Sequence, residues 1–282
     1  KAMMAGQIIE SVPRTRVNVI TDFIVWTSSL IRVPMAPSLV SCLPSAYRNS
    51  IEAFRFRPSI LDGITASGAL HFWHGLFLCS LALLALGLFT RVASILTYVL
   101  HMMFVNRNMG VLFGVDTVGT FYLLYLCFAQ CGARYSLDAW LRPRARVQTV
   151  TSHIAWRLMQ FQLCVVYGYS GMEKLKGSRW WDGSALWDVL SAGNIQRWDL
   201  SFVAHVPLFL ASAVYVVLFW EIYFPILIWN SRLRLPILAF GVFMHIGIVV
   251  FMNLPSFGLM MISLYILFLR QSEIESGLRF AL

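Results

Sequence analysis

The sequence predicts an all-α integral membrane protein, a polytopic helical bundle of seven to eight transmembrane helices in one domain that spans residues 1–282. Its composition predicts this class, because hydrophobic residues make up 59% of the chain and charged residues only 12%. Soluble domains carry about 25% charged residues. The apolar residues are also spread along the whole chain. Lipid must therefore contact most of it, and a single membrane anchor on a soluble enzyme is excluded.

Eight apolar segments account for the predicted helices. A transmembrane helix needs about 20 mostly apolar residues. A first, weaker segment at residues 17–33 is interrupted by Asp22 and Arg32. Seven clearer segments follow, some of them short enough to shift by several residues: 70–89, 92–105, 115–131, 156–172, 207–229, 235–251 and 255–269.

The connecting segments differ in length and charge. Short turns at 89–91 and 230–234 join neighbouring helices, and residues 132–152 are strongly basic. Two long connections, 34–69 and 173–206, contain Pro, Gly, Ser and Trp, and we expect them to form short re-entrant or interfacial helices. Basic residues collect in cytoplasmic loops. The basic clusters therefore predict cytoplasmic N- and C-termini, with the long connections on the opposite side of the membrane.

The net charge of +9 has the same explanation, so a nucleic-acid partner is not expected. The partners that the composition predicts are membrane lipids. Four of the five cysteines lie inside apolar runs, where a small polarisable side chain packs well. No set of cysteines and histidines stands at zinc-site spacing. We expect neither a disulfide framework nor a bound metal.

Four polar side chains stand in or beside the apolar segments, where such groups are unfavourable and often mark a site. They are Asp116, Glu221, His101 and His245. Each also has a structural interpretation. Asp116 can pair with Arg107 at the membrane interface. Glu221 can be neutralised by an arginine such as Arg32 or by protonation, and each histidine can be a hydrogen-bonded packing residue.

Lys174 directly follows an apolar segment and precedes the aromatic pair Trp180 and Trp181. A lysine kept away from bulk water loses charge stabilisation, so its neutral amine becomes accessible as a general base. The neighbouring Glu173 opposes this by stabilising the ammonium. The spacing also fits an interfacial lysine whose ammonium extends to the lipid headgroups.

Three motifs together suggest a family. Residues 162–187 read QLCVVYGYSGMEKLKGSRWWDGSALW, residues 221–225 read EIYFP and precede FMHIG at 243–247, and residues 106–116 read NRNMGVLFGVD. These motifs resemble the membrane region of the vitamin K-dependent γ-carboxylases and the wider HTTM (horizontally transferred transmembrane) group. The resemblance covers about residues 68–269 and is most specific in the segment around Lys174.

The resemblance implies a site. In the carboxylases, the lysine of this segment is the proposed base that deprotonates vitamin K hydroquinone, and Lys174 stands at the matching position. His245, the second expected catalytic residue, would be a pocket or hydrogen-bonding residue. Asn108 lies near the place of a histidine in the family's Asn-His-x-Tyr-Leu motif, and both that histidine and the tyrosine are missing here. The residues expected to bind the cofactor are Asn108, Asp116, Glu221, His101 and Trp181.

Two functions remain open. One is a carboxylase-like membrane enzyme with an outward-facing pocket for an isoprenoid quinone, a vitamin K-like hydroquinone or another lipid. The other is a non-catalytic maturation factor for a secreted peptide, as in short bacterial members of the group, or a structural subunit of a larger membrane complex. An enzyme is expected to hold Lys174 beside an apolar cavity, whereas a structural protein is expected to pair and occlude it. Transport is not supported, because the sequence has no inverted repeats.

Overall fold

A computed structural model describes residues 59, 61, 64, 66–107, 113–132, 136–141, 149–192, 197–270 and 273. All regular structure in these ranges is helical, with no strand. The predicted first segment at 17–33 and the candidate residue Asn108 lie outside the described residues. Internal contacts divide the described chain after Met159 into two units.

The first unit contains three long helices and one short helix. They are α1 (Ser67–Leu86), α2 (Thr90–Arg107), α3 (Gly114–Phe128) and α4 (Leu137–Leu141). Helix α1 contacts α2, and α2 contacts α3. The core between α1 and α2 is formed by Phe77, Leu100 and Phe104, all at most 2% exposed. The hydroxyl of Thr97 donates to Ser80 across the same interface at 3.0 Å, so both polar groups are satisfied within the apolar core.

The turn between α1 and α2 is fixed by backbone geometry and by a carboxylate. Gly87 adopts a left-handed conformation with φ of 69°, which a residue without a Cβ adopts at little cost. Leu88 N then donates to Leu83 O at 2.9 Å and ends α1. Asp138 of α4 accepts hydrogen bonds from the backbone N of Phe89 at 3.0 Å and of Thr90 at 2.9 Å. This carboxylate therefore satisfies free N–H groups at the start of α2.

Helix α5 (Val150–Lys174) begins in the first unit and continues into the second. The second unit also contains α6 (Ser178–Trp181), α7 (Ala185–Ser191), α8 (Pro207–Leu227), α9 (Arg234–Phe251) and α10 (Pro255–Leu264). Short 3-10 turns occupy Ser201–His205 and Tyr265–Phe268. Helices α8 and α10 begin with proline, whose missing N–H costs nothing in the first turn of a helix.

Buried Arg234, at the start of α9, forms an ion pair with Glu273. The backbone N of Arg270 also donates to Glu273, at 2.7 Å. The hydrogen bond from the backbone of Arg270 has the largest effect on Glu273. Together with the contact to Arg234, it holds the pKa of the Glu273 carboxyl below its usual value. Glu273 therefore links Arg270, which follows the last 3-10 turn, to the start of α9.

Three described helices are long and apolar enough to cross a membrane, judged by length and composition: Gly68–Leu86, Pro207–Leu227 and Arg234–Phe251. Two shorter apolar helices cover Gly114–Phe128 and Pro255–Phe268. A membrane helical protein, as the composition predicts, fits this architecture. Seven to eight spans remain a prediction. The prediction of short helices within 173–206 is confirmed by α6, α7 and the 3-10 turn at Ser201–His205.

Candidate functional site

Two glycines bring α5 against α8. A methyl group added to Gly171 would lie 2.7 Å from Cγ1 of Ile222, and one added to Gly168 would lie 3.2 Å from Cγ of Pro225. The two glycines are three residues apart, so they share one face of α5. Because neither carries a Cβ, the backbones of α5 and α8 approach closely at this point.

The close approach places a lysine and a glutamate in contact. Nζ of Lys174, in the last turn of α5, lies 2.5 Å from Oε2 of Glu221 on α8. The ammonium also donates to Oγ of Ser170 at 2.7 Å. The side chain of Lys174 is 21% exposed and that of Glu221 is 8% exposed. The two candidate residues that the sequence places 47 positions apart thus form one largely buried ion pair.

The surroundings of this pair are aromatic on one side. The ring of Trp180 lies 5.1 Å from Nζ of Lys174, within the range of a cation–π contact. The lysine also stands at the C-terminal end of α5, where the helix dipole favours positive charge. The carboxylate of Glu221, the indole of Trp180 and the helix end therefore all interact favourably with the positive charge of Lys174.

The neighbouring acid takes a different partner. Glu173, which the sequence suggested would stabilise the Lys174 ammonium, lies 2.6 Å from Nζ of Lys176 in an exposed pair. Trp181 is also turned away from the ion pair. Its indole N–H donates to the backbone O of Leu175 at 2.7 Å, and its ring is 62% exposed. Trp180 is therefore the aromatic neighbour of the lysine, and Trp181 stabilises the turn that follows α5.

A second polar cluster surrounds His245. Nε2 of His245 lies 2.7 Å from the hydroxyl of Tyr167, and that hydroxyl lies 2.6 Å from the hydroxyl of Tyr265. All three side chains are at most 3% exposed. Nδ1 of His245 has no hydrogen-bond partner within the described ranges. This hydrogen bonding fits both interpretations of His245 from the sequence, a site residue and a hydrogen-bonded packing residue.

Tyr167 and Tyr265 were not among the residues singled out from the sequence. A signal for Tyr167 was present, since Tyr167, Ser170 and Lys174 follow the three- and four-residue spacing of one helix face.

The cluster of Tyr167, His245 and Tyr265 is densely packed. A methyl group on Gly241 would overlap the Tyr265 hydroxyl and lie 2.7 Å from the ring of Trp220. The positions of these hydroxyl groups are therefore tightly constrained.

In the first unit, the ring of His101 contacts the backbone of Asp116. Nε2 of His101 lies 3.0 Å from Oγ1 of Thr120 and 3.4 Å from the backbone O of Asp116. The carboxylate of Asp116 is fully buried and accepts from the backbone N of Phe113 at 2.7 Å, which caps the start of α3. Arg107, the partner that the sequence suggested for Asp116, donates to the backbone O of Leu61 and, at 3.2 Å, to that of Ile64.

Comparison with known families gives one decisive match. The family model described as "HTTM domain" matches residues 41–272. The chain belongs to the HTTM family. The resemblance inferred from the sequence motifs is thereby confirmed. No curated protein and no solved structure gave a significant match.

In this HTTM domain the second unit therefore holds two polar clusters, and each includes one residue from the same face of α5, Lys174 or Tyr167. One is the Lys174–Glu221 ion pair, in which the ammonium donates a hydrogen bond to the carboxylate. The Tyr167–His245–Tyr265 cluster holds hydroxyl and imidazole groups that both donate and accept. Side chains of these types serve acid–base chemistry in enzymes.

Proposed function

We propose that this HTTM protein is a carboxylase-like membrane enzyme that binds an isoprenoid quinone or similar lipid, with Lys174 as the general base. The family match carries the proposal, because Lys174 stands at the position of the carboxylases' proposed base. Lys174 also forms a largely buried ion pair with Glu221. Taking two charges out of water is costly, and buried ion pairs seldom improve stability over apolar packing. Charged groups at membrane depth are typically functional.

The groups around Lys174 suit a flat, proton-bearing ligand. The ion pair provides an ammonium and a carboxylate, and the ring of Trp180 provides an aromatic surface 5.1 Å from the lysine nitrogen. A hydroquinone would supply an acidic hydroxyl group at such a site. Trp181, which is turned away from the ion pair, keeps its predicted role in binding the cofactor only from the resemblance. Asp116 and His101 lie in the other unit and Asn108 lies outside the described residues, so their expected role in binding the cofactor stays a prediction from the resemblance.

A proton shift between Lys174 and Glu221 makes the lysine a base. Moving one proton from Nζ to Oε2 converts the ion pair into a neutral amine and a carboxylic acid. The energetic difference between these two forms is smaller than in bulk water, because burial removes much of the solvation of the ion pair. The amine then accepts the ligand's proton and becomes an ammonium again. The net result is a proton on Glu221 and an ammonium that faces the charge left on the ligand.

His245 and Tyr167 would position the site. Tyr167 lies on the same face of α5 as Lys174, and its hydroxyl contacts both His245 and Tyr265. These hydrogen bonds fix the rotation of α5 relative to α9 and the turn at Tyr265–Phe268. The outward-facing orientation of the pocket, with cytoplasmic termini, belongs to the same proposal.

One observation favours the non-catalytic alternative. Lys174 is paired with Glu221 and largely occluded, which is the environment expected of a maturation factor for a secreted peptide or of a structural subunit. In that function the pair fixes α5 on α8 and no proton moves. The two functions differ in whether the purified protein acts on a hydroquinone.

The test is turnover of vitamin K hydroquinone by the protein in lipid vesicles. Lys174→Met is expected to lower the rate about 100-fold or more, the usual contribution of a general base. Lys176→Met is the matched control, because it removes the same charge from an exposed lysine two residues away and should leave the rate unchanged. Full turnover in Lys174→Met would show that Lys174 is not the base, and no turnover in the parent protein would favour the non-catalytic function.

A further inference from the structure

We propose that residues 175–191 form a re-entrant segment that lines an entrance for water and small polar solutes to the Lys174–Glu221 pair. The relevant feature is where α5 ends. Its last residue, Lys174, lies opposite Glu221, which is inside α8 and not at its end.

The register between the two helices gives the depth of the pair. Gly168 faces Pro225 and Gly171 faces Ile222, so α5 and α8 run antiparallel. At 1.5 Å per residue, Glu221 lies about 21 Å from the Pro207 end of α8 and about 9 Å from its Leu227 end. Helix α8 is one of the helices long and apolar enough to span a membrane. The ion pair therefore lies within the apolar layer, and α5 stops there.

Residues 175–191 run beside the remaining part of α8. The hydroxyl of Tyr215 donates to the backbone O of Trp181 at 2.6 Å. A methyl group on Gly183 would lie 2.7 Å from Cβ of Ala211, so the turn after α6 touches α8 directly. Further along, Leu190 of α7 packs in one cluster with Leu210. The segment thus covers the first half of α8, which α5 does not reach.

This segment has the wrong chemistry for contact with lipid. Arg179 and Asp188 form an ion pair at 3.2 Å, with side chains 63% and 43% exposed. Asp182 is exposed and accepts hydrogen bonds from Ser184. Charged side chains and irregular backbone at membrane depth occur only where protein buries them or water reaches them. Since these side chains are exposed, water must reach them from the side on which α8 begins.

The entrance has a consequence for the reaction. A second reactant that comes through it is a small water-soluble molecule, whereas the lipid ligand approaches from the bilayer. The assignment of a water-borne reactant rests on the proposed function. The entrance itself rests only on the contacts of residues 168–191 with α8.

Cysteine labelling in sealed vesicles tests the entrance. Single cysteines are introduced in a background in which the five native cysteines are replaced by serine or alanine, and a charged, membrane-impermeant thiosulfonate is added to either side. Ser178→Cys and Asp182→Cys report on the segment. Ser212→Cys and Val216→Cys are the matched controls, because these exposed positions lie on α8 next to Ala211 and Tyr215, which the segment contacts.

We expect the reagent to label the two segment positions at least about tenfold faster than the two α8 positions, since a charged reagent is excluded from hydrocarbon. Labelling should occur from one side only. Equal labelling at all four positions would mean that the first half of α8 lies outside the membrane, and no labelling at Ser178→Cys and Asp182→Cys would mean that lipid or protein covers the segment. Either result overturns the entrance.

The labelling is done without quinone, so it does not depend on catalysis. If the entrance is absent while Lys174→Met still abolishes hydroquinone turnover, the proposed function stands and only this inference fails. If labelling behaves as expected while the protein has no turnover, the entrance stands and the proposed function fails.

Discussion

Gly171 of α5 and Ile222 of α8 are so close that a methyl group on the glycine would lie 2.7 Å from Cγ1 and 3.1 Å from the backbone N of Ile222. The contact involves backbone on both helices, so a flexible side chain cannot relieve it. This approach sets the register that brings Lys174 to Glu221. Stability and the site therefore depend on the same glycine.

Gly171→Ala is expected to destabilise the protein by about 1–3 kcal/mol, the usual cost of overpacking. Thermal unfolding in detergent measures the effect. The control is Gly247→Ala on α9, where an added methyl group meets nothing within 4 Å. That substitution should be neutral or slightly stabilising, because alanine favours a helix more than glycine does. Equal midpoints for the two variants would contradict the close approach.

Replacing one partner of the Lys174–Glu221 ion pair should lower the free energy of unfolding more than replacing both. Lys174→Met or Glu221→Met alone is expected to lower the free energy of unfolding by about 3 kcal/mol, the low end for a buried pair because the lysine is partly exposed. The double variant should recover most of the loss, since two apolar side chains leave no uncompensated charge. A double-mutant cycle from unfolding midpoints measures this. Additive losses would show that the two residues do not interact.

The hydroxyl of Tyr167 contacts two partners, whereas the hydroxyl of Tyr265 contacts Tyr167. Tyr167→Phe should therefore destabilise the protein by about 2 kcal/mol and Tyr265→Phe by about 1 kcal/mol, at the net value of one hydrogen bond each. Both substitutions keep the ring packing, so chemical unfolding reports the hydroxyl groups alone. A larger effect for Tyr265→Phe would contradict the central place of Tyr167.

Asp138 holds the turn between α1 and α2 by accepting hydrogen bonds from Phe89, Thr90 and the Thr90 hydroxyl. Asp138→Ala is expected to cost about 1–2 kcal/mol, as for the loss of a helix cap. Asp138→Asn keeps one acceptor oxygen and should cost less. Proteolysis at residues 87–90 offers a local readout, and unchanged cleavage in Asp138→Ala would argue against this role.

The helices could be predicted from the sequence because apolar runs are a local signal. Each of the seven clear segments coincides with a described helix, with ends that differ by a few residues. The largest difference is at α5, predicted to start at residue 156 and observed to start at Val150. Its first turns contain Thr151, Ser152 and His153, which carry no apolar signal, so hydropathy could not detect them.

The site could be predicted only in part. Lys174, Glu221 and His245 stood out because polar groups are rare in apolar segments. The partner of Lys174 could not be chosen, because it depends on the register of α5 and α8, and that register is set by Gly168 and Gly171. A glycine in an apolar run is also compatible with a simple lipid-facing helix. The pairing of Lys174 with Glu221 therefore depends on contacts between residues far apart in the sequence, and no local sequence pattern predicts it.

The most direct test of the proposed function follows the proton itself. Infrared difference spectra of the protein in vesicles, recorded on addition of vitamin K hydroquinone, report carboxyl protonation. We predict a new carbonyl band of a protonated carboxylic acid, absent in Glu221→Gln and in Lys174→Met and retained in Lys176→Met. If the spectrum of the parent protein shows no such band, or if the band persists in Glu221→Gln, the Lys174–Glu221 pair does not accept the ligand's proton.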